Sequence, residues 1–190
     1  LINFTYIRPE AIAEYATLSE GDKNAVDGLH ADTEPLNGDS QLIDRDAMWR
    51  SKMHALWIIF KAGRTAERQS VFDQFKADCG SDLEAYATWC LCYDKWGAPN
   101  GEESNWERKF NRNSPEIANL RKQYPDTLDF YRWLEWIAAE QLSSAQQAAK
   151  DAGMHIGIMS DMAVGVHPSG ADVWWNPERF AKGATVGAPP

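Results

Sequence analysis

The sequence predicts a mainly α-helical protein of six to eight helices, carrying one or a few short β-strands. Three observations lead to that expectation. Apolar residues recur at three- and four-residue spacing over most of the chain. Capping and breaking residues punctuate those runs, with Ser19, Ser81 and Asp126 at helix starts and Gly153 at a helix end. A single stretch, His155-Ile-Gly-Ile-Met-Ser160, abandons the helical period for a short continuous apolar run.

Taken in order, Leu1 to Ile7 alternates loosely and reads as a short extended entry segment. Arg8-Pro9-Glu10 opens a helix to about Leu18, with proline near the first position and acids in the first turn. Ser19 caps a second helix that fades by His30, and Ala31 to Ser40 is a loop by its Pro, Gly and Asn content. From Asp44 to Lys61, Trp49, Met53, Leu56, Trp57 and Phe60 form one broad apolar face. The next helix, roughly Ala66 to Ala77, is expected to bury Val71, Phe72 and Phe75.

Ser81 with Glu84 three residues later makes a capping box for a helix reaching about Trp96, with Leu83, Tyr86, Cys90 and Tyr93 facing inward. Gly97 to Asn113 is polar and irregular, anchored by Trp106 and Phe110, with Trp96 a further anchor. Ser114-Pro115 starts a short helix to about Tyr124. Asp126 then caps the longest one, Thr127 to about Ala152, with Phe130, Trp133, Leu134, Ile137, Ala138, Ala145 and Ala149 as its stripe. The run after Gly153 reads as a buried strand.

Composition narrows the function classes. Nine Trp, seven Phe and six Tyr supply a core that a disordered chain lacks. A net charge of −9 argues against nucleic acid and against an anionic membrane surface, both of which select clustered Lys and Arg. No apolar stretch approaches the ~18 residues of a membrane span, and no signal peptide opens the chain. The three cysteines are Cys79, Cys90 and Cys92; the last two point about 200° apart on a helix and cannot easily share a metal. Reduced thiols in a cytoplasmic protein are the expectation. His30 and His54 lack partners at ligand spacing, and His155 lies roughly 20 Å along a strand from Asp161, too far for a shared metal even with His167. No metal is expected.

The chemically informative feature is the long helix, the Gly turn, the strand and Asp161 at the strand's carboxyl end, where α/β folds and barrels place functional groups. The competing reading of Asp161 is an Asp that starts a turn. One strand makes no sheet, and the chain opens on Leu and closes on Gly-Ala-Pro-Pro. Further strands are therefore expected outside this chain.

The segment Gly153-Met-His-Ile-Gly-Ile-Met-Ser-Asp161-Met-Ala-Val-Gly-Val-His167-Pro-Ser-Gly-Ala-Asp172-Val-Trp174 resembles the first conserved barrel region of bacterial 4-α-glucanotransferases (amylomaltases, glycoside hydrolase family 77). Asn176-Pro-Glu-Arg-Phe180 and Val186-Gly-Ala-Pro-Pro190 fit the same pattern. Leu42-Ile-Asp-Arg-Asp46 and Trp136 with Glu140-Gln141 fit it more loosely. The resemblance implies a (β/α)8 TIM barrel with large helical insertions, in which residues 1–152 form a helical subdomain and 153–190 a barrel strand with the start of an active-site loop. It implies retaining transfer of an α-1,4-glucan or maltooligosaccharide segment to the 4-hydroxyl of an acceptor, by nucleophile and acid/base carboxyls roughly 5–5.5 Å apart.

No position here matches those catalytic carboxylates, so none is assigned and the chain alone is expected to be inactive. The resemblance places Asp161 at the donor sugar, hydrogen bonding its hydroxyls. His167 and Asp172 match loop positions, where shaping the cleft competes with structuring the loop. Trp174 and Trp175 suit stacking on glucose, with loop anchoring as the alternative for Trp174. No cofactor is implied. Self-association through the bare strand edge is a further expectation. The reading from a different class is a free-standing helical carbohydrate-binding or interaction module that uses its tryptophans.

Overall fold

In a computed structural model the protein is described over residues 2–38, 43–99, 104–161, 165–181 and 183–184. Leu42, Met162–Val164 and the Val186–Pro190 motif lie outside the described residues. Seven α-helices are present among the described residues: α1 Glu20–Thr33, α2 Arg45–Lys61, α3 Ala66–Trp96, α4 Trp106–Lys109, α5 Pro115–Gln123, α6 Pro125–Asp151 and α7 Ala171–Trp175. Short 3-10 turns at Pro9–Ala11 and Ala13–Thr17 replace the expected first helix, one at Phe4–Tyr6 stands in the expected extended entry segment, and Glu34–Gly38 and Pro177–Arg179 add two more.

The helix signals act as polar chemistry requires. The Ser19 hydroxyl accepts from the Asp22 N–H at 3.1 Å, and Asp44 Oδ1 accepts from the Ala47 N–H at 2.9 Å, each satisfying an orphan donor of a first turn. Helix α3 contains the joint expected between two helices: Gly80 stands at φ 52°, ψ −129°, a conformation that side chains with a Cβ rarely adopt. The Ser81–Glu84 box does not form in the way expected, because the Glu84 carboxylate is committed elsewhere. Its Oε2 accepts from Arg132 Nε and Nη2 at 3.0 and 2.7 Å, and its Oε1 accepts from Arg121.

The chain divides into two compact units. Unit 1 comprises Leu1–Phe75 and Trp133–Gln146. Its core gathers Phe4, Ile7 and Ile12 from the turns, Leu56 and Ile59 from α2, Phe72 from α3, and Trp133, Leu134, Trp136 and Ile137 from α6. Each such buried side chain contributes about 1.5–3 kcal/mol by removal from water. Helix α1 packs on α2. Val71, expected inside, is 52% exposed, since the fully buried Phe72 takes the inward direction and its neighbour lies about 100° round the helix.

Cations cap the aromatic core of this unit. The Arg64 guanidinium lies 5.0 Å from the Phe72 ring centre, Phe72 stacks on Trp136 at 5.2 Å, and Arg68 covers Trp136 at 4.1 Å. Arg68 donates to both Glu14 and Glu140, as described in the Discussion.

Glu135 of α6 is also buried. Its Oε2 accepts from the Ile2 N–H at 3.3 Å, while its Oε1 has no partner among the described residues. Burial pushes its carboxyl pKa up. A carboxyl that holds its proton more tightly when folded leaves stability intact below the ordinary Glu range and loses it as pH rises from that range through the raised folded-state pKa. We therefore expect Glu135→Gln to match the parent near pH 4 and to be the more stable of the two at pH 7. Urea unfolding at the two pH values checks this; equal stability at both would contradict it.

Unit 2 comprises Lys76–Arg132 and Gln147–Pro190. Leu83, Ala87, Thr88, Leu91 and Cys92 of α3 are buried with Ile117 and Leu120 of α5 and Phe130 and Tyr131 of α6. Helix α3 is thus covered on more faces than one amphipathic stripe predicts, and Tyr93, expected inward, is exposed. Cys79, Cys90 and Cys92 form no disulfide among the described residues. Burial pushes the Cys92 thiol up to about 12, so it behaves as a small hydrophobe, not a nucleophile.

Helix α6 ends as Gly153 predicts. Gly153 sits at φ 93°, its N–H donates to the Lys150 carbonyl, and the Met154 N–H donates to the Ala149 carbonyl, a Schellman closure.

The expectation of one or a few β-strands is corrected. No strand is present among the described residues, and 154–161 is irregular. Ile156 and Met159 of the supposed buried strand are 76% and 87% exposed. The reason is that a strand's N–H and C=O groups pair only with a neighbouring strand. The one candidate neighbour, the N-terminal segment, is instead turned at Phe4–Tyr6, where Asn3 Oδ1 accepts from the Thr5 N–H. Self-association through a strand edge loses its premise with the strand. No helix among the described residues is long and apolar enough to cross a membrane.

Candidate functional site

The region expected to carry function lies in unit 2, after the α6 terminus. Asp161 is exposed in irregular backbone. No hydrogen bond or ion pair joins it to His167 or Trp174 among the described residues. His167 and Trp174, by contrast, belong to one compact turn and helix.

The turn is built from local hydrogen bonds. His167 Nδ1 accepts from the Ser169 N–H at 3.1 Å, and the His167 carbonyl accepts from the Gly170 N–H at 2.8 Å. In the neutral imidazole an accepting Nδ1 leaves the proton on Nε2. His167 is exposed. Pro168 follows in the turn, and Gly170 is the N-cap of α7. The Ser169 carbonyl accepts from Trp89 Nε1 at 3.1 Å, which ties the turn to α3.

Indole groups hold the rest. Trp174 is only 7% exposed, and its Nε1 donates to the Phe110 carbonyl at 2.8 Å. Its ring meets Trp106 edge to face, 5.4 Å between centroids, a favoured aromatic geometry. Trp106 in turn donates from Nε1 to the Gly97 carbonyl at 2.9 Å and touches Trp89 and Trp96. Trp106 and Trp96 therefore act as the loop anchors the sequence suggested. A groove of about 480 Å³ runs beside the turn, walled by Phe110, Pro168, Val173, Trp174 and Pro177.

Arg112 was not singled out from the sequence. Its Nη1 donates to the Trp175 carbonyl at 2.5 Å and to Asn176 Oδ1 at 2.9 Å, and its guanidinium stands 5.8 Å from the Trp175 ring centre. Nothing in local periodicity distinguishes this arginine, because its partners lie 63 and 64 positions away. The geometry is that of a braced loop presenting an imidazole, with most of its indoles spent on holding it.

The looser motif positions are also placed, in unit 1. Trp136 carries the Arg68 contact, Glu140 accepts from Arg68, and Gln141 brackets the Arg8 backbone, accepting from its N–H and donating to its carbonyl, both at 2.9 Å. These residues do structural work there.

A helical scaffold that ends in a braced, aromatic-rich loop finds its counterpart among known proteins. The whole chain, residues 1–190, matches the family model described as 4-alpha-glucanotransferase. It is 36% identical over all 190 residues to the 4-alpha-glucanotransferases of Mycobacterium tuberculosis and Mycobacterium bovis, where it covers 26% of each relative. It is 27% identical over 165 residues to that of Haemophilus influenzae, covering 80% of this chain and 24% of the relative. Among solved structures, the amylomaltase of Corynebacterium glutamicum superposes with a TM-score of 0.71 at 35% identity, covering 90% of this chain and 22% of that one. The chain belongs to the 4-alpha-glucanotransferase family. It spans about a quarter of the length of the curated relatives it matches.

Proposed function

We propose that the protein of which these residues form part transfers a segment of an α-1,4-glucan to the 4-hydroxyl of an acceptor sugar by a retaining double displacement. The observation that supports this reading most is the family match over all 190 residues together with the Asp161-to-Trp174 motif. In such chemistry one carboxylate attacks the anomeric carbon, a second protonates the departing oxygen, and the acceptor then displaces the covalent glycosyl group. The acceptor outcompetes water through binding and exclusion of solvent. The nucleophile and acid/base are assigned to the remaining three quarters of the relatives' length, since no residue here matches their pattern. We place the protein in the cytoplasm, a compartment that keeps Cys79, Cys90 and Cys92 reduced.

Within this chain the proposed substrate contacts are Asp161, His167 and Trp174. Asp161 accepts from donor-sugar hydroxyls. His167 offers its Nε2–H to a hydroxyl while its Nδ1 is occupied by Ser169. Trp174 contributes the wall of the adjoining groove rather than an open stacking face, in keeping with its burial.

The function is tested by giving maltotriose to the full-length protein, which should release glucose together with longer maltooligosaccharides. Hydrolysis to glucose and maltose alone would overturn the transferase reading. The Asp161 assignment is tested separately. A hydrogen bond to a charged group contributes about 1.5–3 kcal/mol, so Asp161→Ala in the full-length protein should lower kcat/KM roughly ten- to a hundredfold at unchanged melting temperature. Unchanged transfer would remove Asp161 from the site.

A further inference from the structure

A second cavity, in unit 1, is unrelated to the motif region. It is a cleft of about 410 Å³ between the Ile7–Glu10 segment, α1 and α2. Its floor is apolar, with Ile7, Val26 and Ala55 buried and Leu29 and Met48 alongside. That combination of size and lining is typical of small-molecule pockets.

Its charged groups are unevenly committed. Arg8 donates from both Nε and Nη2 to Glu10 Oε1, at 3.0 and 2.8 Å, so that pair is self-neutralised. Asp27 Oδ1 accepts from the Tyr15 hydroxyl at 2.5 Å. The hydroxyls of Ser51 and Thr33 donate to α1 carbonyls. Lys52 is different. Its half-buried ammonium donates to a single neutral acceptor, the Thr5 carbonyl at 2.6 Å, and forms no ion pair among the described residues. An ammonium has three N–H donors, and the Thr5 carbonyl takes one of them. A cation held partly out of water without a counterion is costly, and burial pushes its pKa down although Glu10 acts the other way.

We propose that this cleft binds a small monocarboxylate with an apolar body, its carboxylate on Lys52 and its body on the Ile7–Val26–Ala55 floor. The anion offsets the desolvation of the ammonium and accepts from its remaining N–H groups, and His30 of α1, which also lines the cleft, supplies a further polar contact. Charge selects a monoanion. With Glu10 and Asp27 both on the rim, a phosphate dianion meets two carboxylates, whereas a single carboxylate meets them at half that cost.

The test is a titration of the 190-residue chain with hexanoate, hexanol and inorganic phosphate, followed by NMR line shifts. Hexanoate is expected to bind at least tenfold tighter than either of the others. Lys52→Met should weaken hexanoate at least tenfold and leave hexanol unchanged, which also shows that the cleft is still folded. Lys52→Arg should retain hexanoate within about threefold, since the charge is kept. Equal affinity of the parent and Lys52→Met for hexanoate, or phosphate binding tighter than hexanoate, would overturn the proposal.

Discussion

Replacing Arg68 by alanine is expected to destabilise unit 1 by about 3–5 kcal/mol. The Arg68 guanidinium is a fork between two acids. Nε and Nη2 donate to Glu14 at 2.8 and 3.3 Å, while Nη1 and Nη2 donate to Glu140 at 2.6 and 2.9 Å. Burial alone would lower the guanidinium pKa, but the hydrogen bonds it donates to Glu140 and Glu14 outweigh it and the net shift is upward. Glu14 decides the magnitude. It is 4% exposed, so removing the arginine strands a carboxylate away from water. Glu140 is 36% exposed and recovers part of its hydration, which sets the effect toward the lower end of the range.

The cation over Trp136 is lost as well. Arg68→Lys should recover only part of the loss, because one ammonium cannot reproduce two bidentate contacts. Denaturant unfolding of the 190-residue chain checks the series, and a loss under 1 kcal/mol for Arg68→Ala would contradict the assignment.

Trp174→Ala should cost unit 2 about 3–5 kcal/mol, the usual range for emptying a buried aromatic site. Trp174→Phe should cost less, about 1–2 kcal/mol, since it keeps ring packing on Trp106 but drops the indole hydrogen bond to the Phe110 carbonyl. This pair separates anchoring from sugar stacking. An anchor loses stability on truncation whether or not glucan is present. A residue serving mainly as a stacking platform would leave the unfolding midpoint within the scatter of a surface substitution and change only substrate binding.

Most helices are legible in the sequence because their signals are local. Ser19, Asp44 and Gly153 each act within four residues of themselves, so nothing distant has to be known. The signals that fail are those whose partners are remote. Glu84 fits a capping box by spacing, yet Arg121 and Arg132, 37 and 48 positions away, take its carboxylate. The first helix breaks into 3-10 turns whose backbone is bound from α6: Gln141 takes both polar groups of Arg8, and Glu135 takes the Ile2 N–H.

The strand expectation fails for a related reason. An apolar run such as Ile156 to Met159 calls for burial, but periodicity does not say against what, and the described residues hold no second strand. The candidate site is legible to a similar degree. The motif locates the turn and names His167 and Trp174, and the Gly and Pro content correctly marks irregular backbone. That three tryptophans donate Nε1 to the Gly97, Phe110 and Ser169 carbonyls is beyond reach of sequence, because carbonyls carry no side-chain signature.

On the proposed function, residues 1–190 are a helical scaffold with a braced loop and depend on carboxylates outside them. The most direct measurement is maltotriose disproportionation by the purified 190-residue chain beside the full-length protein at equal molarity. The account predicts glucose and longer maltooligosaccharides from the full-length protein and none from the chain. Turnover by the chain alone would contradict it.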